Sequence, residues 1–261
     1  MKIWNMHAIT LCFLLIMPPI ATAAECTKLS AIGHPDWQPI SYLGDEGKVM
    51  EGVSYDLFRH VAQQLSIPVT FSPKTPWKRV LFQLEAGKVD AITAAFYSEK
   101  RAQFGGYTDS YLEFGLVAVV KRGRDIKIDK LEDMIGLNGI ATLGDYYGAE
   151  FEDFAKGDLK IVRGQMPDQS MFEMIVQKHV DFTILSDVNF LLKSAKHGYR
   201  DKLKAIPLPV KRNTTHILIS KKSPCIGLVG KINRIISEAR KSGMVDRAVK
   251  RYIEKIVKSE G

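Results

Sequence analysis

A short motif that occurs twice is the sequence feature that most restricts the fold of this chain. Residues 88–92 read Lys-Val-Asp-Ala-Ile, and residues 179–183 read His-Val-Asp-Phe-Thr. Each copy follows an amphipathic helical pattern and opens a short apolar run, which predicts a buried strand. Asp90 and Asp181 lie 91 positions apart, so the motif marks a corresponding point in each half of the chain. The repeat predicts two similar α/β units that face one another across a cleft.

The first 23 residues predict a secretory signal peptide. Lys2 is followed by an apolar stretch over residues 8–20 and then by Ala-Thr-Ala at 21–23, the order of the charged, apolar and cleavage regions of such a peptide. The apolar stretch is too short for a membrane span, and an uncleaved N-terminal anchor is the alternative. A lipoprotein would need a small residue directly before a cysteine, whereas Cys26 follows Glu25. We expect a soluble periplasmic protein, cleaved near Ala23.

The charge pattern argues against nucleic acid as a partner. The formal net charge of the 261-residue chain is +8, and loss of the signal peptide removes only Lys2, which leaves +7. The cations are scattered among acids, and no aromatic-basic recognition motif is present. The sequence also lacks a phosphate-binding glycine loop, zinc-binding His/Glu spacing and a nucleophile elbow. We therefore expect neither a cofactor nor a bound metal.

Two cysteines remain after cleavage, Cys26 and Cys225. An oxidising compartment permits a disulfide between them, and neither has a metal-ligand neighbour at the spacing of zinc sites. The sequence leaves a disulfide and two unpaired thiols open. A bridge would connect the N-terminal strand to the start of the helix after the last strand.

The end of the strand in the first copy is the expected centre of the chemistry. Gly87 stands where a left-handed cap usually ends a helix, and the apolar run over residues 89–95 follows as a strand. A charged turn with Arg101 comes next. Ligands of open α/β sheets bind outside the carboxyl ends of the strands, where Arg101 can grip a carboxylate with its two-pronged guanidinium. The alternative is an ion pair at the surface or between lobes.

Residues 84–111 closely resemble a segment of the extracytoplasmic solute-binding proteins of amino-acid ABC transporters, bacterial family 3. The family segment reads roughly L-x-x-G-K-V-D-A-I-x-A-G-x-T-x-T-x-E-R, followed by D-x-Y-Y. Ala95 replaces the usual glycine, and Tyr97 and Ser98 lie in a turn that is one residue short. The matching residues are Leu84, Gly87, Lys88, Val89, Asp90, Ala91, Ile92, Ala94, Arg101, Asp109 and Tyr111, with Glu99 one place early.

The resemblance implies a role for one residue in each half. Arg101 would bind the α-carboxylate of an amino acid, and an aspartate after the second strand would bind the α-amino group. Counted from Asp181, the family pattern D-[AV]-x-x-x-D puts this acid at Ser186, and Asp187 lies one residue later. Whether Ser186 or Asp187 faces the cleft stays open.

Two tryptophans match aromatic positions of the family. Trp37 lies in a proline-containing loop after the first strand and would cover the ligand; the alternative is that it packs beneath this loop. Trp77 begins the helix that ends at Gly87, where a core role is the alternative.

One departure affects the implied ligand pose. Asp145 and Tyr146 stand after Gly144, where the family has Gly-Thr/Ser-Thr with hydroxyls that donate to the carboxylate. Asp145 would repel a carboxylate unless it pairs with Arg101 or turns away. It could instead accept a hydrogen bond from a cationic or hydroxylated ligand.

We therefore predict the α/β, two-lobed, type II periplasmic-binding-protein-like fold, with a mixed sheet flanked by helices in each lobe and a hinge of two crossing strands. Residues 24–114 and 214–261 would form the first lobe, and residues 115–213 the second. The expected ligand-binding residues are Arg101, Asp187, Trp37, Trp77, Ala95, Phe96, Tyr97, Asp145 and Tyr146.

The resemblance implies a monomer that captures a small polar, amino-acid-like molecule and delivers it to the membrane permease of an ABC transporter, without catalysis. Two alternatives remain. The first is an enzyme of the cyclohexadienyl dehydratase kind, for which Asp145 or Glu113 would supply the general acid. The second is a ligand-reporting partner of a membrane sensor.

Overall fold

The computed structural model describes residues 25–44, 47 and 49–258, so the expected signal peptide lies outside the described residues. Helices and strands alternate along most of this range. The elements are β1 (Leu29–Ile32), β2 (Asp36–Trp37), β3 (Ser41–Leu43), β4 (Met50–Glu51), α1 (Val53–Gln64), β5 (Val69–Phe71), α2 (Trp77–Glu85), β6 (Ala91–Phe96), α3 (Glu99–Ala102), β7 (Gly105–Tyr107), β8 (Leu112–Phe114), β9 (Leu116–Lys121), β10 (Asn138–Thr142), α4 (Ala149–Asp158), β11 (Lys160–Gly164), α5 (Asp168–Val176), β12 (Phe182–Ser186), α6 (Asp187–Lys196), β13 (Leu203–Pro207), β14 (Asn213–Ser220), α7 (Val229–Lys241) and α8 (Met244–Lys258), with short 3₁₀ helices at Leu131–Met134 and Ile226–Leu228.

The first sheet has the strand order β5-β1-β6-β14-β7. Strands β5, β1 and β6 are parallel, whereas β14 runs antiparallel to β6 and β7. Successive side chains of a strand point to opposite faces, so Ile217 and Ile219 pack with α1, α7 and α8 while Leu218 packs with α2. The sheet is therefore buried between two helical layers.

The second sheet has the order β11-β10-β12-β9-β13, with β9 antiparallel to both of its neighbours. One face packs on a cluster that contains Phe151 of α4, and the other on a cluster that contains Phe172 of α5. Two mixed sheets, each flanked by helices, confirm the predicted two-lobed fold. We call the first sheet with its helices the first lobe, and the second sheet with its helices the second lobe.

Two strand segments pass between the sheets and pair with each other. Strand β8 leads through Gly115 into β9, and β14 returns from the second sheet to the first. The pairs Leu112–Thr215, Glu113–Thr214 and Phe114–Asn213 join them in antiparallel register. The domain boundaries at residues 114/115 and 213/214 stay a prediction. The paired segments of β8 and β14 lie next to both of these positions.

The repeated motif has a structural role in both lobes. The Asp90 carboxylate accepts hydrogen bonds from the backbone N–H and hydroxyl of Ser30 in β1, each at 2.7 Å. The Asp181 carboxylate accepts one from the backbone N–H of Asn138 in β10 at 2.8 Å. Each aspartate thus fastens the start of its strand to the neighbouring parallel strand, which explains why the motif recurs.

Two helices appear where the sequence analysis predicts none. Residues 99–102 form the single turn α3 in the expected charged turn, and α6 begins directly after β12. The Ser186 hydroxyl caps α6 by accepting a hydrogen bond from the backbone N–H of Asn189 at 3.2 Å. A serine cap satisfies one of the free N–H groups at a helix start, so the chain turns from strand to helix without a loop.

Cys26 and Cys225 are joined by a disulfide, which decides between the two alternatives that the sequence leaves open. Cys26 lies just before β1, and the fully buried Cys225 lies just before the 3₁₀ turn that leads into α7. The bridge therefore connects two segments of the first lobe that are 199 residues apart.

We predict that the double variant Cys26→Ser/Cys225→Ser loses stability but keeps its ligand affinity. A native disulfide commonly contributes about 2–4 kcal/mol, because it restricts the unfolded chain, and both ends of this bridge lie outside the cleft. Urea unfolding measures the stability. Thiol labelling of the denatured, unreduced wild-type protein is the control, and two reactive thiols per chain would contradict the bridge.

Candidate functional site

A cavity of about 380 Å³ lies between the two lobes. It is bounded by the carboxyl ends of β1 and β6 on one side and of β10, β11 and β12 on the other, as expected for ligand sites of parallel sheets. Its lining residues are His34, Pro35, Asp36, Trp37, Lys74, Pro76, Trp77, Ala95, Phe96, Arg101, Leu116, Thr142, Asp145, Tyr146, Tyr147, Gln165, Met166, Pro167, Asp168, Ile184, Leu185, Ser186, Asn189 and Lys193.

Arg101 bridges the two lobes at this cavity. Only 6% of the residue is exposed, and burial lowers the pKa of its guanidinium from the usual value. Nη1 donates to the Phe96 carbonyl of the first lobe and Nη2 to the Gly144 carbonyl of the second, both at 3.1 Å. The guanidinium also lies near the ring faces of Trp77 and Tyr146, at 5.4 and 5.6 Å. Arginine has five N–H donors, so these bonds leave donors for an anion.

Gly144 allows this bridge to form. Its carbonyl also accepts a hydrogen bond from the Trp77 indole nitrogen at 3.1 Å. The backbone has φ of +93°, and a Cβ here would lie 3.3 Å from Cδ1 of Trp77. Glycine adopts positive φ without a steric cost, so the residue type sets how closely the two lobes approach.

Both predicted tryptophans line the cavity. Trp37 packs edge-on against Phe96 at 4.8 Å between ring centroids and Phe114 at 5.7 Å. Trp77, the first residue of α2, is buried in the core of the first lobe, and its ring centroid lies 4.9 Å from that of His34. Both tryptophans therefore combine the packing role and the cavity-lining position that the sequence analysis treats as alternatives.

Asp145 lines the cavity but does not pair directly with Arg101. Its carboxylate lies 3.4 Å from Nε2 of His34 in the first lobe and accepts a hydrogen bond from the Tyr147 hydroxyl at 3.5 Å. Its backbone carbonyl accepts a bond from Arg163 at 2.8 Å. The fixed backbone directs the carboxylate toward His34, so a second contact crosses between the lobes here.

Two predicted site residues lie elsewhere. The Asp187 carboxylate accepts a hydrogen bond from the N–H of Val188 at 2.8 Å and lies 3.6 Å from Nη1 of Arg212, outside the cavity lining. Tyr97 is 51% exposed and packs on the Tyr107 ring, also outside the lining. Ser186, not Asp187, lines the cavity, because Asp187 follows the strand end and already belongs to α6.

A buried charge cluster in the cavity wall is absent from the sequence-based prediction. Lys193 is 3% exposed, and its ammonium binds the Asp168 carboxylate. It also donates to the Asp36 carbonyl at 3.1 Å and lies 3.3 Å from the Asp36 carboxylate. Asp36 belongs to the first lobe and the other two residues to the second, so this is a third contact across the cleft.

The cluster changes the titration of its members. Burial opposes the charge of Lys193, but the carboxylates of Asp168 and Asp36 outweigh it and raise the pKa of this lysine. Burial, together with the neighbouring carboxylate of Asp36, raises the pKa of Asp168 from 3.8 to about 6, although the Lys193 ammonium acts in the opposite direction. One ammonium serving two carboxylates leaves Asp168 as the group that binds a proton first.

Asn189 is a further cavity-lining residue that the sequence analysis misses. It is 6% exposed, and its Oδ1 has no hydrogen-bond partner among the described residues. Buried polar atoms are normally hydrogen-bonded. The helical spacing of Asn189 and Lys193, four residues apart after the capping Ser186, would place both on one face of a helix. Recognising α6 in the sequence would therefore have indicated them.

Among the described residues, no helix is both long and apolar enough to cross a membrane. The same part of the chain contains no group of three His, Cys, Asp or Glu side chains arranged to hold a metal ion.

The chain belongs to the bacterial extracellular solute-binding proteins, family 3, whose sequence profile matches residues 29–255. A curated relative is the L-cystine-binding protein TcyJ of Escherichia coli strain K12, which is 27% identical over 112 residues. This match spans 42% of the chain and 41% of the relative, less than half of either protein.

Solved structures share the fold at lower identity. An ancestral arginine-binding protein bound to glutamine has a TM-score of 0.71 at 23% identity, over 87% of this chain and 97% of that one. The substrate-binding protein AbpA of Streptococcus pneumoniae, bound to L-arginine, has 0.73 at 18% identity, over 88% and 96%. A histidine kinase sensor domain similar to periplasmic binding proteins has 0.72 at 16% identity, over 86% and 95%.

We predict that Asp168 makes the stability of the protein depend on pH. A carboxyl whose pKa is higher in the folded state than in the unfolded one destabilises the fold once it ionises. The free energy of unfolding of the wild type should therefore fall, relative to that of Asp168→Asn, as the pH rises from 3.8 to about 6. At about 1.4 kcal/mol per pKa unit, the difference is on the order of 1–3 kcal/mol. The free energy of unfolding of each protein is measured by urea unfolding at several pH values in this range. The same pH dependence in both proteins would contradict the prediction.

Proposed function

We propose that this chain is a periplasmic solute-binding protein that captures a small polar, amino-acid-like ligand between its two lobes. The ligand would be delivered to the membrane permease of an ABC transporter, and the chain would act as a monomer without converting its ligand. The predicted signal peptide supports export. The single observation that carries the proposal is a cavity between the lobes with the buried guanidinium of Arg101 in its wall.

Arg101 would anchor the carboxylate of the ligand. Its two observed bonds go to neutral backbone carbonyls, so its positive charge has no bonded anion among the described residues. A guanidinium binds a carboxylate through two parallel charge-assisted hydrogen bonds. Trp77 and Tyr146 hold the guanidinium in a fixed orientation for this purpose.

The rest of the cavity suits the body of a small molecule. Trp37 and Phe96 supply apolar surface, Ser186 and Asn189 supply hydrogen-bonding groups, and Asp145 adds a carboxylate next to Gly144. Ligand sites generally combine apolar walls with a few fixed polar groups. The unpartnered Oδ1 of Asn189 would accept a hydrogen bond from an amine, amide or hydroxyl of the ligand.

Closure would depend on contacts that exist only when the lobes approach. Arg101 with Gly144, His34 with Asp145 and Lys193 with Asp36 each join one lobe to the other. A ligand shifts an open–closed equilibrium through contacts that differ between the two states. The paired β8 and β14 segments would act as the hinge, with domain boundaries at residues 114/115 and 213/214. The permease would then recognise the closed form.

An enzyme on the same fold is a second candidate, because one cavity residue pair favours it. Asp145 and His34 lie 3.4 Å apart in the cavity wall, and such a pair can transfer protons. Glu113, the other candidate acid, is exposed on β8 and does not line the cavity. A ligand-reporting partner of a membrane sensor is a third candidate, which pull-down of a receptor kinase rather than a permease would favour.

A thermal-shift screen over amino acids, polyamines, keto acids and small sugars tests the proposal, with calorimetry on every compound that stabilises the protein. Recovery of the bound compound chemically unchanged after denaturation supports binding. Steady turnover that depends on protein concentration and is lost in Asp145→Asn would instead establish the enzyme.

We predict that Arg101→Ala abolishes binding of the selected ligand while the protein remains folded. Loss of one partner of a buried charged contact costs on the order of 2–5 kcal/mol in binding free energy. Arg101→Lys retains the charge without the fork and should recover only part of the affinity. Arg234→Ala on the exposed surface of α7 is the matched control. Affinity of Arg101→Ala within a few-fold of the wild type would contradict the anchoring role.

We predict that Trp37 and Trp77 report binding by fluorescence. Both indoles line the cavity, so closure and the loss of water should change their surroundings. The third tryptophan of the sequence, Trp4, falls within the expected signal peptide and would be absent from the mature protein. Saturation should shift the emission of the wild type, and Trp37→Leu should lose most of the shift. An unchanged shift in this variant would show that Trp37 does not sense the ligand.

A further inference from the structure

The ammonium group of Lys193 occupies a site that has the chemistry of a binding site for a primary amine. It lies in the cavity wall, is bound by the Asp168 carboxylate, and reaches the carbonyl and carboxylate of Asp36 at 3.1 and 3.3 Å. A primary ammonium has three donors, and this arrangement supplies three oxygen acceptors from two lobes. The site is therefore filled by a side chain of the protein itself.

The other charged side chains of the lining are Asp145, Arg101 and the exposed Lys74. Asp145, the remaining acid of the lining, is engaged by His34 and Tyr147, whereas Arg101 is bonded only to backbone carbonyls. Every carboxylate of the lining thus has a donor within the protein, and the buried guanidinium lacks an anion among the described residues. The cavity is therefore prepared for a negative group at Arg101, and the two carboxylates at the α6 wall, Asp36 and Asp168, are already engaged by Lys193.

We propose that Lys193 determines ligand specificity by occupying the ammonium site when the lobes are closed and so excluding ligands with a cationic side chain. This inference rests on the proposed function and narrows it: the ligand carries a carboxylate for Arg101 and an uncharged side chain. A guanidinium or alkylammonium group at the α6 wall would have to displace the Lys193 ammonium to reach the carboxylates of Asp168 and Asp36. A cationic side chain that cannot displace it would be buried without a paired anion, which is costly and lowers the affinity for the wrong ligand.

The position of Lys193 supports a role in selection. A lysine that only held the two lobes together would not need to line the cavity. Lys193 does line the cavity. Its side chain comes from the same face of α6 as Asn189, whose Oδ1 is unpartnered. The α6 wall therefore presents a neutral acceptor next to an occupied cation site, which favours an amide or hydroxyl over an ammonium there.

Chemical rescue tests whether the site recognises a primary ammonium. Lys193→Ala removes a chain equivalent to n-propylammonium, so this ion should restore what the variant loses. We expect the melting temperature of Lys193→Ala to fall by on the order of 5–10 °C and to rise in a saturable manner with n-propylammonium chloride at constant ionic strength. Lys196→Ala, in the last turn of the same helix and exposed, is the matched control.

The rescue must be specific to the vacated site. Neither wild type nor Lys196→Ala should respond to n-propylammonium, and neutral n-propanol should not rescue Lys193→Ala. Equal responses of all three proteins to the ion, or equal rescue by n-propanol, would overturn the proposal.

A second measurement uses only the wild-type chain and therefore does not depend on the folding of the variant. L-Arginine and L-citrulline have nearly the same shape, and only the first has a cationic side chain. We expect calorimetry to show L-citrulline binding at least about tenfold more tightly than L-arginine, a difference of about 1.4 kcal/mol. Preference for L-arginine would overturn the inference. Binding of neither would count against an amino-acid ligand, while the rescue experiment would still decide the role of Lys193.

Discussion

The buried guanidinium of Arg101 is the group on which the closed form of this protein depends. A cation removed from water is costly unless it is hydrogen-bonded, and Arg101 finds acceptors on both lobes, the carbonyls of Phe96 and Gly144. The second of these carbonyls also holds the Trp77 indole. Separating the lobes would take the Gly144 carbonyl away from both Arg101 and Trp77. The arrangement of the lobes and the shape of the site are therefore linked through this one oxygen atom.

The contacts across the cleft have unequal roles. The His34–Asp145 contact is 3.4 Å long and partly exposed, and a single long, partly exposed polar contact adds little stability. The Lys193 cluster is buried, and the cost of removing its charges from water offsets much of their attraction. The cluster therefore contributes more to the geometry of the cavity wall than to stability, and its proposed role in selection rests on that geometry. Arg101 differs from both because its charge has no bonded carboxylate among the described residues, and this difference is the basis for proposing that it binds the ligand.

The sequence was informative where periodicity and repetition encode structure. The repeated aspartates at 90 and 181 indicated two equivalent units, and each does fasten parallel strands. The position of Arg101 just beyond a predicted strand end indicated that it lies at the carboxyl edge of the sheet, and it lines the cavity between the lobes. The family itself was recognised from the segment around Arg101, and the profile match over residues 29–255 confirms it.

The sequence was uninformative where side-chain direction decides. A shift of one residue separates Ser186 in the cavity from Asp187 beside Arg212, and a motif cannot show at which residue a strand becomes a helix. The Lys193 cluster joins positions 36, 168 and 193, whose proximity depends on the approach of the lobes. The disulfide likewise joins residues 199 positions apart, which no local pattern reveals.

The central claim, that two lobes close around a ligand at Arg101, is tested most directly by the distance between them. Spin labels on cysteines introduced at the exposed positions Arg79 of α2 and Lys156 of α4 report this distance by pulsed electron paramagnetic resonance. The ligand-free protein should show a longer and broader distribution than the protein saturated with the compound selected by the thermal-shift screen. Arg101→Ala should keep the longer distribution at the same concentration of that compound. Identical distributions with and without bound ligand would contradict closure as the basis of capture.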